Sequence, residues 1–176
     1  MESPKTSATK SALNFGTMLG LVLMIISLII FVFEMYEAKW LSYISYIILI
    51  VGIIMGIKRR RDQERGGVIS YGQSLGYGTL VAFFAGLIGA IVLFMYLKFV
   101  DDGFIQYNIE LQEAQMYEAG LPDEQIEQSM MWTKKFSNPT FYSVMGLVAN
   151  VFFGFIISLI ASAFLKKEPD NFDDTE

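Results

Sequence analysis

Apolar residues in this chain gather into four long runs, and the intervals between them are short and polar except for one, which lies between the third and fourth runs. The runs cover residues 13–33, 40–57, 70–100 and 139–165. None carries an acidic or basic residue in its body, and Lys98 stands near the end of the third. Crossing about 30 Å of hydrocarbon at about 1.5 Å per helical residue takes about 20 residues, which these runs supply. They are apolar all round rather than alternating, so the strands of a barrel are excluded. The pattern predicts an all-α protein: a four-helix transmembrane bundle forming one membrane domain over residues 1–167. The first run is longer than the apolar core of a secretory signal and is followed by Glu34-Met35-Tyr36-Glu37 instead of a small-residue cleavage site, so it reads as an uncleaved first span.

The longer interval, residues 101–138, predicts an amphipathic helical hairpin outside the bilayer. Asp101 and Asp102 are N-cap candidates, and Phe104, Tyr107, Leu111 and Tyr117 recur at roughly helical spacing before Gly120, a residue suited to the left-handed position past a helix end. Pro122-Asp123-Glu124 then opens a second helix with acids in its first turn, Lys134 and Lys135 in its last, and Ile126, Met130, Thr133 and Phe136 along one side. The greasy face of this pair needs a cover, which makes Tyr107, Leu111, Tyr117, Ile126, Met130 and Phe136 the candidate partner contacts. Elsewhere, Ser70 with Gln73 forms a capping box at the entry to the third run, and Asn138-Pro139 reads as N-cap and first helical residue of the fourth. The first ten residues and the acidic tail, 168–176, lack the apolar content to fold and are expected to be disordered.

Small residues recur every four positions on each run: Ala12, Gly16 and Gly20; Gly52 and Gly56; Gly72 and Gly76; Ala82, Gly86 and Ala90; Gly154, Ser158 and Ser162. Lipid gives helices no hydrophobic reason to associate, so rows that admit close backbone approach are where helices pack. Gly16, Gly20, Gly52, Gly56, Gly86, Gly154 and Ser158 are therefore candidate packing positions. Asn150, the most polar residue near the middle of a run, joins them because an amide in hydrocarbon needs a partner.

Charge orients the bundle. Lys5, Lys10, Lys58, Arg59, Arg60, Arg61, Arg65, Lys166 and Lys167 fall on one side, nine bases in all, against Lys39, Lys98, Lys134 and Lys135 on the other. By the positive-inside rule both termini are cytoplasmic and the hairpin is periplasmic. The first side also holds eight acids and the second ten, so the chain's net charge of −5 belongs to the hairpin side. Lys58, Arg59, Arg60 and Arg61 are enough to fix topology, and could also hold anionic lipid headgroups.

The 53% apolar content places the chain among membrane proteins, and its lack of Cys and His removes disulfides, thiol nucleophiles, imidazole ligands and Ser-His-Asp chemistry. Ion-coupled carriers place charge inside the membrane, and none lies there in this chain.

The basic turn into Gly67-Val68-Ile69-Ser70-Tyr71-Gly72-Gln73-Ser74, the stretch Gly120-Leu121-Pro122-Asp123-Glu124-Gln125-Ile126-Glu127-Gln128, and the Phe136-Ser137-Asn138-Pro139 entry to a run ending Ser158-Leu159-Ile160-Ala161-Ser162-Ala163-Phe164-Leu165-Lys166-Lys167 together resemble the bacterial inner-membrane family catalogued as domain of unknown function 4199. The resemblance spans about residues 13 to 167. It implies a multi-pass protein of uncharacterised role and brings no catalytic or cofactor residues. The expectation is a non-enzymatic interaction or accessory protein, without cofactor or nucleic acid, whose partners are the bilayer and either a second copy or another membrane protein. The alternative expectation is an oligomeric passive pore or small-molecule transporter.

Overall fold

The structure, a computed structural model, describes residues 7–35 and 39–167. Of the first ten residues, expected to be disordered, 1–6 lie outside the described residues, as do the acidic tail and half of the link between the first two runs, whereas Ala8, Thr9 and Lys10 form the start of the first helix. Six helices follow one another: α1 (Ala8–Val32), α2 (Lys39–Arg59), α3 (Tyr71–Phe99), α4 (Gly103–Glu118), α5 (Asp123–Phe136) and α6 (Pro139–Leu165). Among the described residues there is no strand, only a single antiparallel bridge between Ile69 and Lys167.

Among these residues three helices, α1, α3 and α6, are long and apolar enough to cross a membrane, not the four that the runs predict. α2 itself runs 21 residues, Lys39–Arg59, and carries two bases, Lys58 and Arg59, in its last turn. The basic turn after it differs from expectation too. The helix does not stop at Ile57 but continues through Arg59 and then widens into a π turn, Arg60–Glu64, before Gly66 and Gly67 reverse the chain at φ 64° and 89°.

The predicted caps form. Ser70 Oγ accepts from the Gln73 backbone N–H at 3.4 Å while Gln73 Oε1 accepts from the Ser70 N–H at 3.2 Å, and Asn138 Oδ1 accepts from the Phe141 N–H at 2.9 Å ahead of Pro139. Gly120 takes the left-handed position after α4, with φ 70°. Asp102 is the N-cap of α4 by position, but it is Asp101 Oδ1 that accepts a hydrogen bond, from the Gly103 N–H at 3.1 Å.

α3 is the central helix. A Cβ at Gly16 would lie 2.7 Å from Val81 O, and one at Gly20 2.9 Å from Ala85 O, so α1 runs parallel to α3 with backbones touching. On the other side α6 runs antiparallel: Gly78 meets Ser158, Ala82 meets Gly154, and Gly86 meets Asn150. The same register brings Ser74, fully buried, opposite Ser162, also fully buried. α2 lies antiparallel to α1, with Gly52 against Leu19 and Gly56 against Phe15. Between these helices Leu19, Leu49, Ile53, Ile57, Val81 and Ala82 form the core. The outer surface is greasy, as a bilayer-facing surface must be: Ile25, Ile47, Phe152 and Phe164 all stand exposed.

Candidate functional site

The two ends of the bundle are built differently. At one end the starts of α1 and α3 and the ends of α2 and α6 meet in a polar clasp. Ser11 Oγ donates to Glu64 Oε1 at 2.7 Å and lies 3.1 Å from the Tyr77 hydroxyl. Glu64 also pairs with Arg60, whose guanidinium sits 5.8 Å from the Tyr77 ring centroid. Arg61 Nη1 donates to Leu165 O at 3.2 Å, satisfying a carbonyl left open at the end of α6, and Ile69 and Lys167 exchange backbone hydrogen bonds at 2.8 and 2.9 Å.

This geometry divides the basic run. Lys58 and Arg59 are exposed on the surface, as headgroup contacts require. Arg60 is not: it is buried at 7% exposure and its charge is turned inward to Glu64, which corrects its assignment to the lipid surface. Helical spacing explains the change, because Arg60, where the π turn opens, continues the buried row of Ile53, Gly56 and Ile57. Arg61 spans both environments. Its Nε donates to Asp62 Oδ1 at 2.6 Å, and this hydrogen bonding holds the Asp62 carboxyl below the ordinary carboxylate range and raises the guanidinium above its own.

At the opposite end α4 and α5 form the expected hairpin, seated on an aromatic stack. Phe31 of α1 lies 5.0 Å from Tyr96 of α3, Phe104 of α4 stands edge-on to Phe31 at 5.5 Å, and Tyr142 of α6 closes the group at 5.7 Å from Phe104. Ile105 is buried beneath it. Within the hairpin, Thr133 Oγ1 donates to Gln112 Oε1 at 2.8 Å.

Of the six candidate partner contacts, Leu111, Tyr117 and Phe136 are exposed and Tyr107 is half-buried. Ile126 and Met130, expected on a greasy face that needs a cover, are buried at 2% and 4% exposure. They are the floor of a cleft of about 420 Å³ between α4 and α5, whose walls add Tyr117 and Met131 and whose rim carries Glu113, Asp123, Glu127 and Lys134. Trp132, which the apolar spacing passed over, stacks on Phe136 at 6.1 Å on the outer side of α5. Among the described residues no three acidic groups converge as metal ligands would.

The candidate packing residues fall where helices meet. Gly16, Gly20, Gly52, Gly56, Gly86, Gly154 and Ser158 are all buried at helix contacts, and Asn150 lies half-buried against Gly86 with Oδ1 lacking a hydrogen-bond partner. The row Gly72 and Gly76 does not pack: nothing lies within 4 Å of a Cβ at either. The row that α3 turns to α6 is Ser74, Gly78, Ala82 and Gly86. A strict four-residue count back from Ala82 finds it, and a second row two residues away obscures it.

These features define an all-helical protein with membrane-type helices, a polar clasp at one end and a helical hairpin at the other. The chain belongs to the family described as protein of unknown function (DUF4199), whose family model matches residues 14–167 and so takes in α1 from its second turn, the hairpin and the clasp. No curated protein and no solved structure matches the chain.

Proposed function

We propose that this is a multi-pass protein of the bacterial inner membrane that acts by contact and not by catalysis, holding a basic, amphipathic segment of another membrane protein in the hairpin cleft. The observation that carries this reading is the cleft itself, with an apolar floor of Ile126 and Met130 under a mainly acidic rim of Glu113, Asp123 and Glu127. Such a surface favours an aliphatic or aromatic side chain flanked by Lys or Arg.

In this reading α2 is a fourth crossing. Its support is that the α2 end shares the clasp with the starts of α1 and α3, so that α2 returns the chain along the length of α1. Both chain ends and the exposed bases Lys58, Arg59 and Arg65 then lie in the cytoplasm, and the acidic hairpin lies in the periplasm.

Photocrosslinking in intact cells tests the contact. A benzophenone side chain placed at Tyr117 or Met131, on the cleft walls, is expected to give one discrete adduct that Glu127→Lys abolishes, whereas the same group at lipid-facing Ile47 gives none. No adduct from the cleft, or an adduct indifferent to Glu127→Lys, would overturn the reading.

A further inference from the structure

The core changes character along its length. In the half near the clasp it is filled by Leu19, Ile53, Ile57 and Val81, whereas in the half near the hairpin the same helix faces carry Ser27, Ser45, Ser143 and Asn150 around a cavity of about 200 Å³. Gly86, Gly89 and Gly146 keep the cavity open. Its polar groups are unequally balanced. Ser27, Ser45 and Ser143 donate their protons to carbonyls of their own helices, at 3.1, 3.2 and 2.8 Å to Leu23, Leu41 and Pro139, which leaves hydroxyl oxygens free to accept. Asn150 Oδ1 is a further acceptor, buried and without a partner. The wall therefore offers acceptors on three serines and both an acceptor and N–H donors on Asn150, and no charged side chain lines it.

A second, wholly apolar groove of about 300 Å³ lies on the same α2–α6 seam, lined by Ile50, Ile54, Ile157, Ile160 and Phe164. Tyr46 and Phe153, edge to face at 5.7 Å, stand one turn from it, and Tyr46 also lines the cavity. From Phe153 to Phe164 the seam runs about 16 Å, roughly half the thickness of the hydrocarbon core.

We propose that the cavity and groove hold one neutral lipid of the monoacylglycerol type, its hydroxyl-bearing head donating to Asn150 and the serine oxygens and its chain lying along the α2–α6 groove. An ionised head at that depth would leave its charge in an environment without a counter-charge, so a phospholipid or a fatty-acid anion is disfavoured. A polyol head can donate to the free serine and Asn150 oxygens and accept from the Asn150 amide N–H, without bringing a charge.

The test uses the full chain in phosphatidylcholine nanodiscs, with a monoacylglycerol carrying a diazirine in its chain and, in parallel, phosphatidylglycerol carrying the same group. The expected result is labelling of residues 46–54 and 153–164 by the monoacylglycerol, competed by its unlabelled form but not by phosphatidylglycerol. Asn150→Leu should weaken the competition about threefold to twentyfold. Gly89→Leu, where nothing lies within 4 Å of a Cβ, should fill the cavity and remove most of the competed labelling, while Gly76→Leu, equally unobstructed but away from the cavity, leaves it intact. The melting temperature of each variant reports whether it folds. Labelling that cannot be competed, that phosphatidylglycerol matches, or that survives both cavity variants in folded protein would overturn the proposal.

Discussion

At the level of single residues, glycines divide by what surrounds them, and the division is measurable. A Cβ at Gly154 would lie 2.1 Å from that of Ala82, so Gly154→Ala forces α3 and α6 apart and is expected to cost about 1–3 kcal/mol. Gly76→Ala meets nothing and removes a flexible residue from the interior of α3, so it is expected to stabilise by up to about 1 kcal/mol. Thermal unfolding in mild detergent should move the two melting temperatures in opposite directions, and equal losses would contradict the helix contacts described above. The spacing of small residues was legible in the sequence, but which row faces a neighbour was not, because Gly72 and Gly76 have the same spacing as the row that packs. Asn150 stood out as a polar residue in an apolar run. Ser143, seven residues before it, shares its face of α6, but that its surroundings are a cavity also depends on Ser27 and Ser45, serines on two other helices that no spacing within α6 connects to it.

Among the elements, the end of α2 does most to change the reading of the chain. Composition marked Lys58 to Arg61 as one basic group, yet Arg60 continues the buried row of Ile53, Gly56 and Ile57 and pairs with Glu64, while Lys58 and Arg59 stay on the surface. Glu64 and Ser11 are 53 positions apart, and Tyr77 and Ser11 are 66 apart, so their meeting follows from helix packing and could not be read locally. A double-mutant cycle on Arg60→Met and Glu64→Leu is expected to give a coupling energy of about 1–3 kcal/mol, measured by unfolding, and additive effects would remove the clasp as a stabilising element. The neighbouring Asp62 responds to acid. Its carboxyl ionises more readily in the folded chain than in the unfolded one, so its contribution is present at neutral pH and is lost as pH falls through its lowered folded value. Asp62→Asn should flatten the acid limb of the stability profile only slightly, since the group is at the surface. The capping box at Ser70 and the Asn138 cap were fully legible, being local signals met by local hydrogen bonds. The hairpin was legible as two helices broken at Gly120, and Ile126 and Met130 as part of a side that needs a cover, but what covers that side was not. Ile126 and Met130 turn toward α4, and α4 is seated by Phe104 and Ile105 on residues from three other helices.

Over the whole molecule, the clasp and the hairpin stand at opposite ends of a bundle whose centre is α3, and the functional reading depends on a membrane lying between them. Hydropathy marks α1, α3 and α6 as long and apolar enough to cross; a crossing by α2, which packs along α1 through Gly52 and Gly56, is part of the proposed function. The chain has no cysteine, so single cysteines can be introduced without background. The most direct measurement is the labelling of Glu124→Cys on α5 and Gln63→Cys in the π turn, both exposed, by a membrane-impermeant maleimide in intact spheroplasts and again after lysis. The account predicts that Glu124→Cys reacts in both conditions and Gln63→Cys only after lysis. Equal reaction of the two in intact spheroplasts, or the reverse order, would contradict it.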